Sequence, residues 1–577
     1  MLMDSGFVLP PLHRSIAQLF IDRVGEYGDR TFMARRKVLP DGSLGDWERL
    51  SFVEALARAR SVGQWFVDRG AGQDTPLMIL SGNGLEHAIM MMGAMLAAVP
   101  VVSISSGYSL LSKDFVKLRH CVDICRPAVI FADDGERFAP ALAAIRDSGA
   151  TIVTATPPPP SGPASVPLAD LLATNPGPGI DKAMSGIEPD TVARYVFTSG
   201  STGMPKAVVV TQRMMTAVVA QHDAYYLPDA DPSLKSYVSW LPWSHIGGVI
   251  LVSDVINEGA TLYIDDGRPL PGQFEESVRN LREISPRDYS GVPILLGELV
   301  KAMEKDETLR RSFFRRLRFL KYGTASLSQD IFDRLQAMAV AETGQGVPIS
   351  STYGTTETQG ISTPTRPVII TGAIGTPFPG VELKLAPVED KLEIRVRGAA
   401  VMPGYLGDPE GTAAAFDEEG FYRTGDAARL ADPERPELGL IFDGRITENF
   451  KLTSGTWVSV GNLRVALVEA FAPLVQDIVI AGHDREYIAL LVWLRAGQGE
   501  GLAPELRARL EEKMAEWNRA NKGSSTRVER LIILTEPPTT EEIADKGYIN
   551  QRAVLRRRAD FVTRLYADPP GEDVIRA

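Results

Sequence analysis

Cysteine is nearly absent from the 577-residue sequence, which contains only Cys121 and Cys125. So few cysteines are typical of a reducing, cytoplasmic location. The two thiols are four residues apart, so a helix would carry both on one face. His120 is the only nearby histidine that could support a metal site. We therefore interpret the pair as two small core residues rather than a metal or redox site.

Targeting signals and long apolar runs are also missing. Residues 1–6 contain no basic region followed by an apolar stretch, so we expect no signal peptide. The longest apolar run, residues 88–104, contains Gly93 and Pro100 and is short for a membrane span of about 20 residues. It predicts a buried helix ending near Ala98 and then a buried strand. The net charge of −12 argues against non-specific binding to nucleic acid.

Three common catalytic motifs are absent as well. The chain has no G-x-S-x-G turn of a serine hydrolase and no G-x-G-x-x-G dinucleotide loop. The glycine-rich stretch Thr198–Lys206 is not a Walker A motif, because Lys206 follows Pro205 and precedes Ala207.

What the stretch Thr198–Lys206 does contain is a set of anion-binding groups. An apolar run, Tyr195–Phe197, precedes it, so a strand is expected to feed the loop. Glycines allow backbone N–H groups to surround an anion, hydroxyls add donors, and Lys206 adds a positive charge. The sequence therefore predicts a phosphate-binding loop whose residues are Thr198, Ser199, Gly200, Ser201, Thr202, Gly203 and Lys206.

The chain is too long for one ordinary core, so at least two domains are expected. Strand and helix patterns alternate over residues 52–132 and 193–350, which predicts an α/β fold with parallel sheets covered by helices. Within this pattern we expect a helix near residues 110–124 and a surface loop at the proline-rich stretch 156–167. From about residue 368, short strands at 381–385 and 392–396 and a turn at 403–405 indicate a β-rich subdomain. One last helix is expected over residues 548–566. We place a large N-terminal domain at 1–443, with the subdomain at 368–443, and a small α+β C-terminal domain at 444–577.

Five further segments carry candidate functional residues. Ser351–Glu357 offers hydroxyls and a carboxylate, which are the oxygen ligands that Mg²⁺ prefers. Asp426, at the expected end of a strand, can accept hydrogen bonds from ribose hydroxyls. A flat ring could lie on the small residues that end Leu320–Leu327. The other segments are Trp240–Gly248 and Asp443–Arg445, the latter followed by Lys451 and Gly455.

In this order the segments resemble the adenylate-forming superfamily, which includes acyl- and aryl-CoA ligases, firefly luciferase and the adenylation domains of peptide synthetases. The resemblance implies that Thr198–Lys206 holds the β- and γ-phosphates of ATP. It implies that Gly323, Thr324, Ala325 and Tyr353 contact adenine, that Thr356 binds the α-phosphate and Glu357 binds Mg²⁺, and that Asp426 and Arg445 hold the ribose. It also implies an acid pocket lined by Trp240, His245, Gly248, Ser290, Gly291, Val292 and Pro293.

The family's reaction has two halves. A carboxylate attacks the α-phosphorus of ATP and releases pyrophosphate, and coenzyme A then displaces AMP. Since both steps build negative charge on oxygens, cations and N–H donors should supply most of the catalysis. The resemblance thus implies ATP, Mg²⁺ and coenzyme A as cofactor and co-substrates.

The resemblance also implies a mobile C-terminal lid that carries a catalytic lysine, with a hinge at Thr447 or Glu448. Lys546 is the candidate, although the usual pattern has Gly before the lysine and here Asp545 stands there. Two alternatives stay open: Lys546 is an ordinary loop lysine, or Lys522, beside Gly523, acts instead. An arginine cluster, Arg552 and Arg556–Arg558, either contacts coenzyme A or is a solvated helix face.

The substrate prediction depends on an unusual stretch, Phe450–Val460, and on Asp545–Gln551. Both resemble the feruloyl-CoA synthase branch, which implies a hydroxycinnamic acid such as ferulate. Trp240 and Trp243 agree with an aromatic pocket, but aromatic side chains also line aliphatic ones. The alternatives are a fatty or other alkyl acid–CoA ligase, an adenylating enzyme that loads a separate carrier protein, and a catalytically silent nucleotide-binding protein. The sequence leaves monomer and homodimer equally open.

Overall fold

A computed structural model of the chain describes residues 1–577 except 40, 199–203, 227–234, 269–271, 324–326, 365–371, 389–390, 447–448, 496–502, 540–541, 543–548 and the side chain of residue 462. The predicted α/β class is confirmed: helices cover parallel sheets in the first two thirds of the described chain.

The first sheet is built from the alternating segment that begins near residue 75. In spatial order its strands are Lys206–Thr211, Val192–Thr198, Val101–Ser103, Leu77–Leu80, Val129–Asp134, Thr151–Thr156 and Val166–Pro167. All neighbours pair in parallel except the first two, which form an antiparallel hairpin around the glycine-rich loop. The predicted parallel sheet is therefore confirmed. The proline-rich segment 156–167, which we expected to be entirely loop, ends in a short edge strand.

A second layer contains two smaller sheets. One consists of Ser236–Ser239, Thr261–Ile264, Thr31–Val38 and Leu44–Ser51, and the other of the parallel strands Asp288–Gly291, Phe319–Tyr322 and Ile349–Ser351. In the second sheet Gly291, Tyr322 and Ser351 are in register at the carboxyl edge. Ligands of α/β proteins bind outside this edge, so the segments that follow these strands are placed where a site is expected.

Most helices of this region have buried residues on one face, and Pro409–Ala415 has none. The others are Ile16–Tyr27, Phe52–Asp68, Leu85–Leu96, Ser106–Ser109, Val116–Cys125, Ala139–Ala144, Leu168–Leu172, Pro178–Ser185, Gln212–Tyr225, Ile246–Asn257, Glu275–Glu283, Pro293–Lys305, Glu307–Arg315 and Gln329–Thr343. Two 3-10 turns, Arg146–Ser148 and Pro436–Leu438, complete the set. In the described ranges no helix combines the length and the apolar character that a membrane span requires.

The helix expected near residues 110–124 is shorter than predicted. The Ser112 hydroxyl accepts from the Phe115 amide at 3.0 Å, and the Asp114 carboxylate accepts from the Val116 amide at 3.2 Å. These side chains satisfy the first free amides, so the helix begins only at Val116. Cys121 and Cys125 both lie on it as buried thiols that are not joined in a disulfide. Burial raises the pKa of Cys125 to about 12, which agrees with the prediction of inert core residues.

The β-rich region forms an antiparallel sheet. In spatial order its strands are Leu2–Met3, Val381–Val388, Lys391–Gly398, Tyr422–Leu430, Leu440–Arg445, Ala373–Pro377 and Ser362–Thr363. The sequence indicated the strands beginning at Val381 and near Leu392. It did not indicate the two-residue N-terminal strand, which pairs with Leu383 and Lys384.

From Phe450 onward the chain packs around hydrophobic clusters of its own. Its strands are Phe450–Lys451, Trp457–Val458, Val475–Ala481, Ile488–Leu494, Val528–Ile533 and Val574–Arg576, and its helices are Val460–Ala470, Pro504–Ala520, Gln551–Arg557 and Ala559–Leu565. Separate cores are what two domains require. The boundary at 443–447 stays a prediction, and the predicted hinge at Thr447 or Glu448 lies outside the described residues.

The single helix predicted for residues 548–566 is wrong, because the structure divides it at Arg558. The guanidinium of Arg558 turns inward and bonds the Glu542 carboxylate at 2.7 and 2.8 Å. Its side chain is only 7 % exposed and that of Glu542 only 1 %. Arg558 is therefore neither solvated nor available to coenzyme A. Arg552, Arg556 and Arg557 are exposed.

We expect Arg558→Met to lower the free energy of unfolding of this region by about 3 kcal/mol, because it leaves the buried Glu542 carboxylate without its cation. The control is the double variant Arg558→Met/Glu542→Met, which removes both charges and should recover most of the loss. Urea unfolding followed by tryptophan fluorescence measures both. Equal urea midpoints for the single variant and the wild type would contradict this role of the pair.

Candidate active site

The hairpin around the glycine-rich loop presents Lys206 at its second strand, opposite Thr198. Ser199, Gly200, Ser201, Thr202 and Gly203 lie outside the described residues, so their predicted phosphate contacts stay predictions. The Lys206 ammonium lies 2.9 Å from the Asp408 carboxylate and 4.8 Å from the centre of the Tyr405 ring. Both partners follow the turn at Gly404, about 200 residues along the chain.

Asp408 has two roles. Its carboxylate pairs with Lys206 and also caps the helix Pro409–Ala415 by accepting from the Gly411 amide at 2.8 Å. The Lys206 hydrogen bond and the Gly411 amide lower the pKa of Asp408. If Lys206 binds phosphate as predicted, that phosphate competes with this carboxylate for the ammonium.

We expect Asp408→Asn to tighten ATP binding by up to about fivefold, because asparagine keeps the cap while the competing ion pair, worth roughly 0.2–1 kcal/mol at the surface, is lost. Isothermal titration with ATP measures the change. The control Asp408→Ala removes the cap too, and should therefore also lower thermal stability. A weaker nucleotide affinity for Asp408→Asn would show that the carboxylate orients Lys206 rather than competing for it.

The loop after the strand Ile349–Ser351 carries Thr356 and Glu357, and Glu357 contacts Tyr405. Thr356 is buried, and Glu357 is partly exposed. The Tyr405 hydroxyl donates to the Glu357 carboxylate at 3.1 Å. Burial and the charge of Glu357 raise the pKa of Tyr405, so the hydroxyl stays protonated and keeps donating. Tyr405 thus joins Lys206 to Glu357.

Asp426 and Arg445 face each other on neighbouring antiparallel strands. Gly425, with φ of +70°, and Gly444, with φ of +85°, precede them. A left-handed glycine redirects the chain at each point and aims the next side chain. The Asp426 carboxylate, whose side chain is 5 % exposed, lies 3.3 Å from the Arg445 guanidinium.

Tyr353 completes this pair, since its hydroxyl donates to the Asp426 carboxylate at 2.7 Å. Burial and the charge of Asp426 hold the pKa of Tyr353 well above its usual range. The ring also lies 6.1 Å from that of Phe442. An aromatic ring anchored through its hydroxyl is a suitable surface for a flat base.

These contacts form one group of side chains, which we call the central cluster: Lys206, Tyr353, Glu357, Tyr405, Asp426 and Arg445. Tyr353 and Glu357 belong to one loop, and this loop connects the two halves of the cluster. The structure thus brings together residues separated by up to 239 positions. Gly323 borders the same loop, because a Cβ built on it would lie 3.3 Å from the Thr352 carbonyl. Thr324 and Ala325 lie outside the described residues.

The predicted acid pocket begins with a rigid turn at Trp240–Gly248. The Asn83 side chain holds it by donating to the Leu241 carbonyl at 2.9 Å and accepting from the Trp243 amide at 3.0 Å. The buried Arg194 donates to the Trp243 carbonyl at 3.0 Å. His245 precedes the helix Ile246–Asn257. Gly248 packs so closely that a Cβ would lie 2.2 Å from the Pro242 carbonyl oxygen.

The second predicted wall, Ser290–Pro293, lies at the carboxyl edge of the three-stranded parallel sheet. Ser290 is partly exposed, while Gly291 and Val292 are buried. Pro293 begins the helix Pro293–Lys305. Ser290 and Gly291 are adjacent in register to Lys321 and Tyr322, which brings this wall beside the strand that leads to Gly323.

Two described candidate residues are not brought to the central cluster by the contacts of the structure. Lys451 and Gly455 belong to the hairpin Phe450–Val458, where the Lys451 ammonium lies 4.8 Å from the Trp457 ring and Gly455 forms the turn. Lys546 lies outside the described residues, and its proposed role stays a prediction. The alternative, Lys522, is exposed.

Sequence reasoning assigned no function to three residues of this site. Tyr405 contacts Lys206 and Glu357, and Asp408 contacts Lys206. The third residue is Tyr422, whose pKa is raised by burial and by the charge of Glu357. Tyr405 was interpreted only as part of a turn. The Asp-Pro pair at 408–409, typical of a helix start, was the available signal for Asp408.

Comparison with known proteins gives consistent results. The sequence model of the family described as AMP-binding enzyme matches residues 20–406, and that of the AMP-binding enzyme C-terminal domain matches residues 452–569. Long-chain-fatty-acid–CoA ligase ACSBG1 from Rattus norvegicus is 25 % identical over 533 residues, which is 83 % of this chain and 71 % of the relative.

Solved structures share the fold. The A domain of carboxylic acid reductase from Segniliparus rugosus, in complex with AMP and a co-purified carboxylic acid, superposes with a TM-score of 0.74 at 20 % identity and covers 96 % of this chain and 94 % of its own. ATP-bound MatB from Rhodopseudomonas palustris gives a TM-score of 0.69 at 20 % identity, and the match covers 95 % of this chain and 99 % of the MatB chain. These similarities confirm the predicted adenylation fold with a large N-terminal and a small C-terminal part.

Proposed function

Because the chain belongs to the AMP-binding enzyme family, we propose that it is an ATP-dependent acid–thiol ligase. In the proposed reaction a carboxylate oxygen attacks the α-phosphorus of ATP and pyrophosphate leaves. The thiolate of coenzyme A then attacks the acyl carbon, forming the thioester and releasing AMP. A cytoplasmic location, supported by two cysteines that are not joined in a disulfide, is part of the proposal.

The observation that carries this proposal is the convergence of the central cluster. Lys206 supplies positive charge for the triphosphate, and the Asp426 carboxylate supplies the acceptor for ribose hydroxyls. Tyr353 offers a ring to adenine. We propose these roles because each group is held by a defined contact: Asp408 and Tyr405 for Lys206, and Arg445 for Asp426.

The groups at Glu357 in the central cluster are also suited to Mg²⁺. A carboxylate and a hydroxyl are hard oxygen ligands of the kind this ion prefers. Glu357, which is connected to Lys206 through Tyr405, and its neighbour Thr356 carry these groups. Glu357 would hold the ion against the phosphates, where it supplies neutralisation of the charge on phosphate oxygens. The Tyr405 hydroxyl fixes one Glu357 oxygen by hydrogen bonding, which orients the carboxylate before any ligand arrives.

For the acid we propose a hydroxycinnamic acid such as ferulate. Trp240 and the partly exposed Ser290 support a pocket with aromatic and polar walls. A long-chain alkyl acid is the second candidate, because the relative from Rattus norvegicus is named for that substrate. Transfer to a carrier protein instead of coenzyme A is the third.

One experiment separates these candidates. Purified protein is supplied with ATP, Mg²⁺ and a panel of hydroxycinnamic, unsubstituted aromatic and alkyl acids, and AMP release is measured with and without coenzyme A. We expect AMP release that depends on both a hydroxycinnamic acid and coenzyme A. Preference for alkyl acids would favour the second candidate. Adenylate that accumulates and is not consumed by coenzyme A would favour the third. No AMP with any acid would overturn the proposal.

A further inference from the structure

Lys321 is a charged side chain on the inner strand of the three-stranded parallel sheet, and nothing above gives it a role. It is in register with Ser290 on one side and Ser350 on the other. Side chains two residues apart on a strand share a face, so Lys321 lies on the same face as Gly323. At a rise of about 3.3 Å per residue, it is roughly 7 Å back along the strand from Gly323.

The surroundings of Lys321 are densely packed and rich in ionisable groups. Its ammonium lies 3.8 Å from the centre of the Tyr226 ring and 5.9 Å from that of Phe319. Burial would lower the pKa of Lys321, but the acidic groups of Tyr226, Asp254, Asp288 and Glu258 outweigh it and raise the pKa. The side chain is therefore a cation at neutral pH.

Of these three carboxylates, Asp288 faces the Arg318 guanidinium at 3.8 Å, and the other two are hydrogen-bonded. Asp254 bonds the His222 ring at 2.8 Å. Glu258 bonds the Lys235 ammonium at 2.8 Å and accepts from the Tyr237 hydroxyl at 2.8 Å. The Lys235 ammonium is therefore an example of a buried lysine in this region that has a carboxylate partner.

Lys321 differs from Lys235 in both respects. Within the described ranges its ammonium has no hydrogen-bond acceptor and no carboxylate within ion-pair distance, and the side chain is partly exposed. It shares its face with Ser290, also partly exposed. A partly exposed cation that has no acceptor among the described residues is a binding group for an oxygen acceptor.

Two more donors in this region lack a partner in the described part of the chain. The Tyr226 hydroxyl and the Trp240 indole nitrogen are both buried without a hydrogen bond, and Trp240 is only 7 % exposed. Open space also borders the first turn of the helix Ile246–Asn257, where a Cβ on Gly247 would meet nothing within 4 Å. Gly247 and Asp254 are seven residues apart and so lie on one helix face.

We propose that Lys321 determines acid specificity by donating a hydrogen bond to an oxygen at the end of the acid remote from its carboxylate. The inference rests on the proposed function and narrows it. The pocket then runs from the nucleotide side of Gly323 back to Lys321. It takes acids with a distal oxygen acceptor, such as the ring hydroxyl of a hydroxycinnamic acid. Acids without one leave the enclosed ammonium unsatisfied.

The test compares two acids that differ by one oxygen, 4-hydroxycinnamate and cinnamate, in the wild type and in Lys321→Met. For the wild type we expect kcat/KM to favour 4-hydroxycinnamate by roughly 10- to 150-fold, the range for a hydrogen bond to a charged group. In Lys321→Met the preference should fall to about twofold or less, because cinnamate turnover is kept or improved. The control is Lys235→Met, the same substitution at the paired lysine, which should keep the preference.

The outcomes distinguish this inference from the proposed function. AMP release with equal kcat/KM for the two acids in the wild type overturns the role of Lys321 and leaves the ligase intact. If Lys321→Met still prefers 4-hydroxycinnamate over cinnamate, the role of Lys321 is also overturned and the ligase function stands. The comparison of kcat/KM for the two acids in the wild type needs no variant. Equal values therefore overturn the role of Lys321 even if Lys321→Met fails to fold. No AMP release with any acid overturns the proposed function and this inference together.

Discussion

Asp426→Ala is expected to weaken ATP binding by roughly 10- to 150-fold, since a hydrogen bond to a charged group is worth about 1.5–3 kcal/mol. The carboxylate is nearly inaccessible to solvent, accepts from the Tyr353 hydroxyl and lies against Arg445. Its removal leaves the ribose hydroxyls and a buried phenol without an acceptor, and frees the guanidinium to move. Isothermal titration with ATP measures the change in Kd.

Two variants serve as controls for Asp426→Ala. Tyr353→Phe removes only the hydroxyl that donates to Asp426, so a smaller loss of ATP affinity is expected. Asp426→Asn keeps an acceptor for Tyr353 but removes the charge that faces Arg445. Its ATP affinity should lie between those of Asp426→Ala and Tyr353→Phe. A wild-type Kd for a folded Asp426→Ala protein would contradict the assignment of this carboxylate to the nucleotide.

Lys546→Ala is expected to slow adenylate formation by about 10²–10³-fold, the range for removing one donor that stabilises developing negative charge. Thioester formation from synthetic acyl-adenylate and coenzyme A should remain close to the wild-type rate, because the proposed contact belongs only to the first half-reaction. Pyrophosphate release measures the first half, and thioester formation measures the second.

Lys522→Ala is the matched control, since it removes the alternative lysine of the same part of the chain. It should leave both half-reactions unchanged. If Lys522→Ala abolishes pyrophosphate release and Lys546→Ala does not, the roles are reversed. If neither variant affects it, neither Lys546 nor Lys522 acts in adenylation.

Much of the fold could be predicted because it depends on local pattern. Alternating apolar and polar segments over residues 75–132 gave the parallel sheet, and the apolar helix after Gly84 was predicted to within a few residues. The strand Leu2–Met3 could not be predicted, because two residues have no periodicity and their partner lies about 380 positions away. The break at Arg558 escaped prediction for a similar reason, since it depends on a partner, Glu542, outside the helix.

The candidate site divides in the same way. Lys206, Glu357 and Asp426 were predicted because each stands in a short stretch with recognisable chemistry. Tyr405 and Asp408 were missed because their importance arises only when the turn after Gly404 folds onto the hairpin of Lys206. Lys321 lies within the segment Leu320–Leu327 and received no role, since only the folded structure shows that its ammonium has no acceptor among the described residues.

The central claim is that a carboxylate oxygen of the acid becomes bonded to the α-phosphorus of ATP. The most direct test supplies the protein with ATP, coenzyme A and an acid labelled with ¹⁸O in its carboxyl group, and analyses the released AMP by mass spectrometry. The account predicts one labelled oxygen in the AMP phosphate and none in pyrophosphate. Thioester formed together with unlabelled AMP would contradict it.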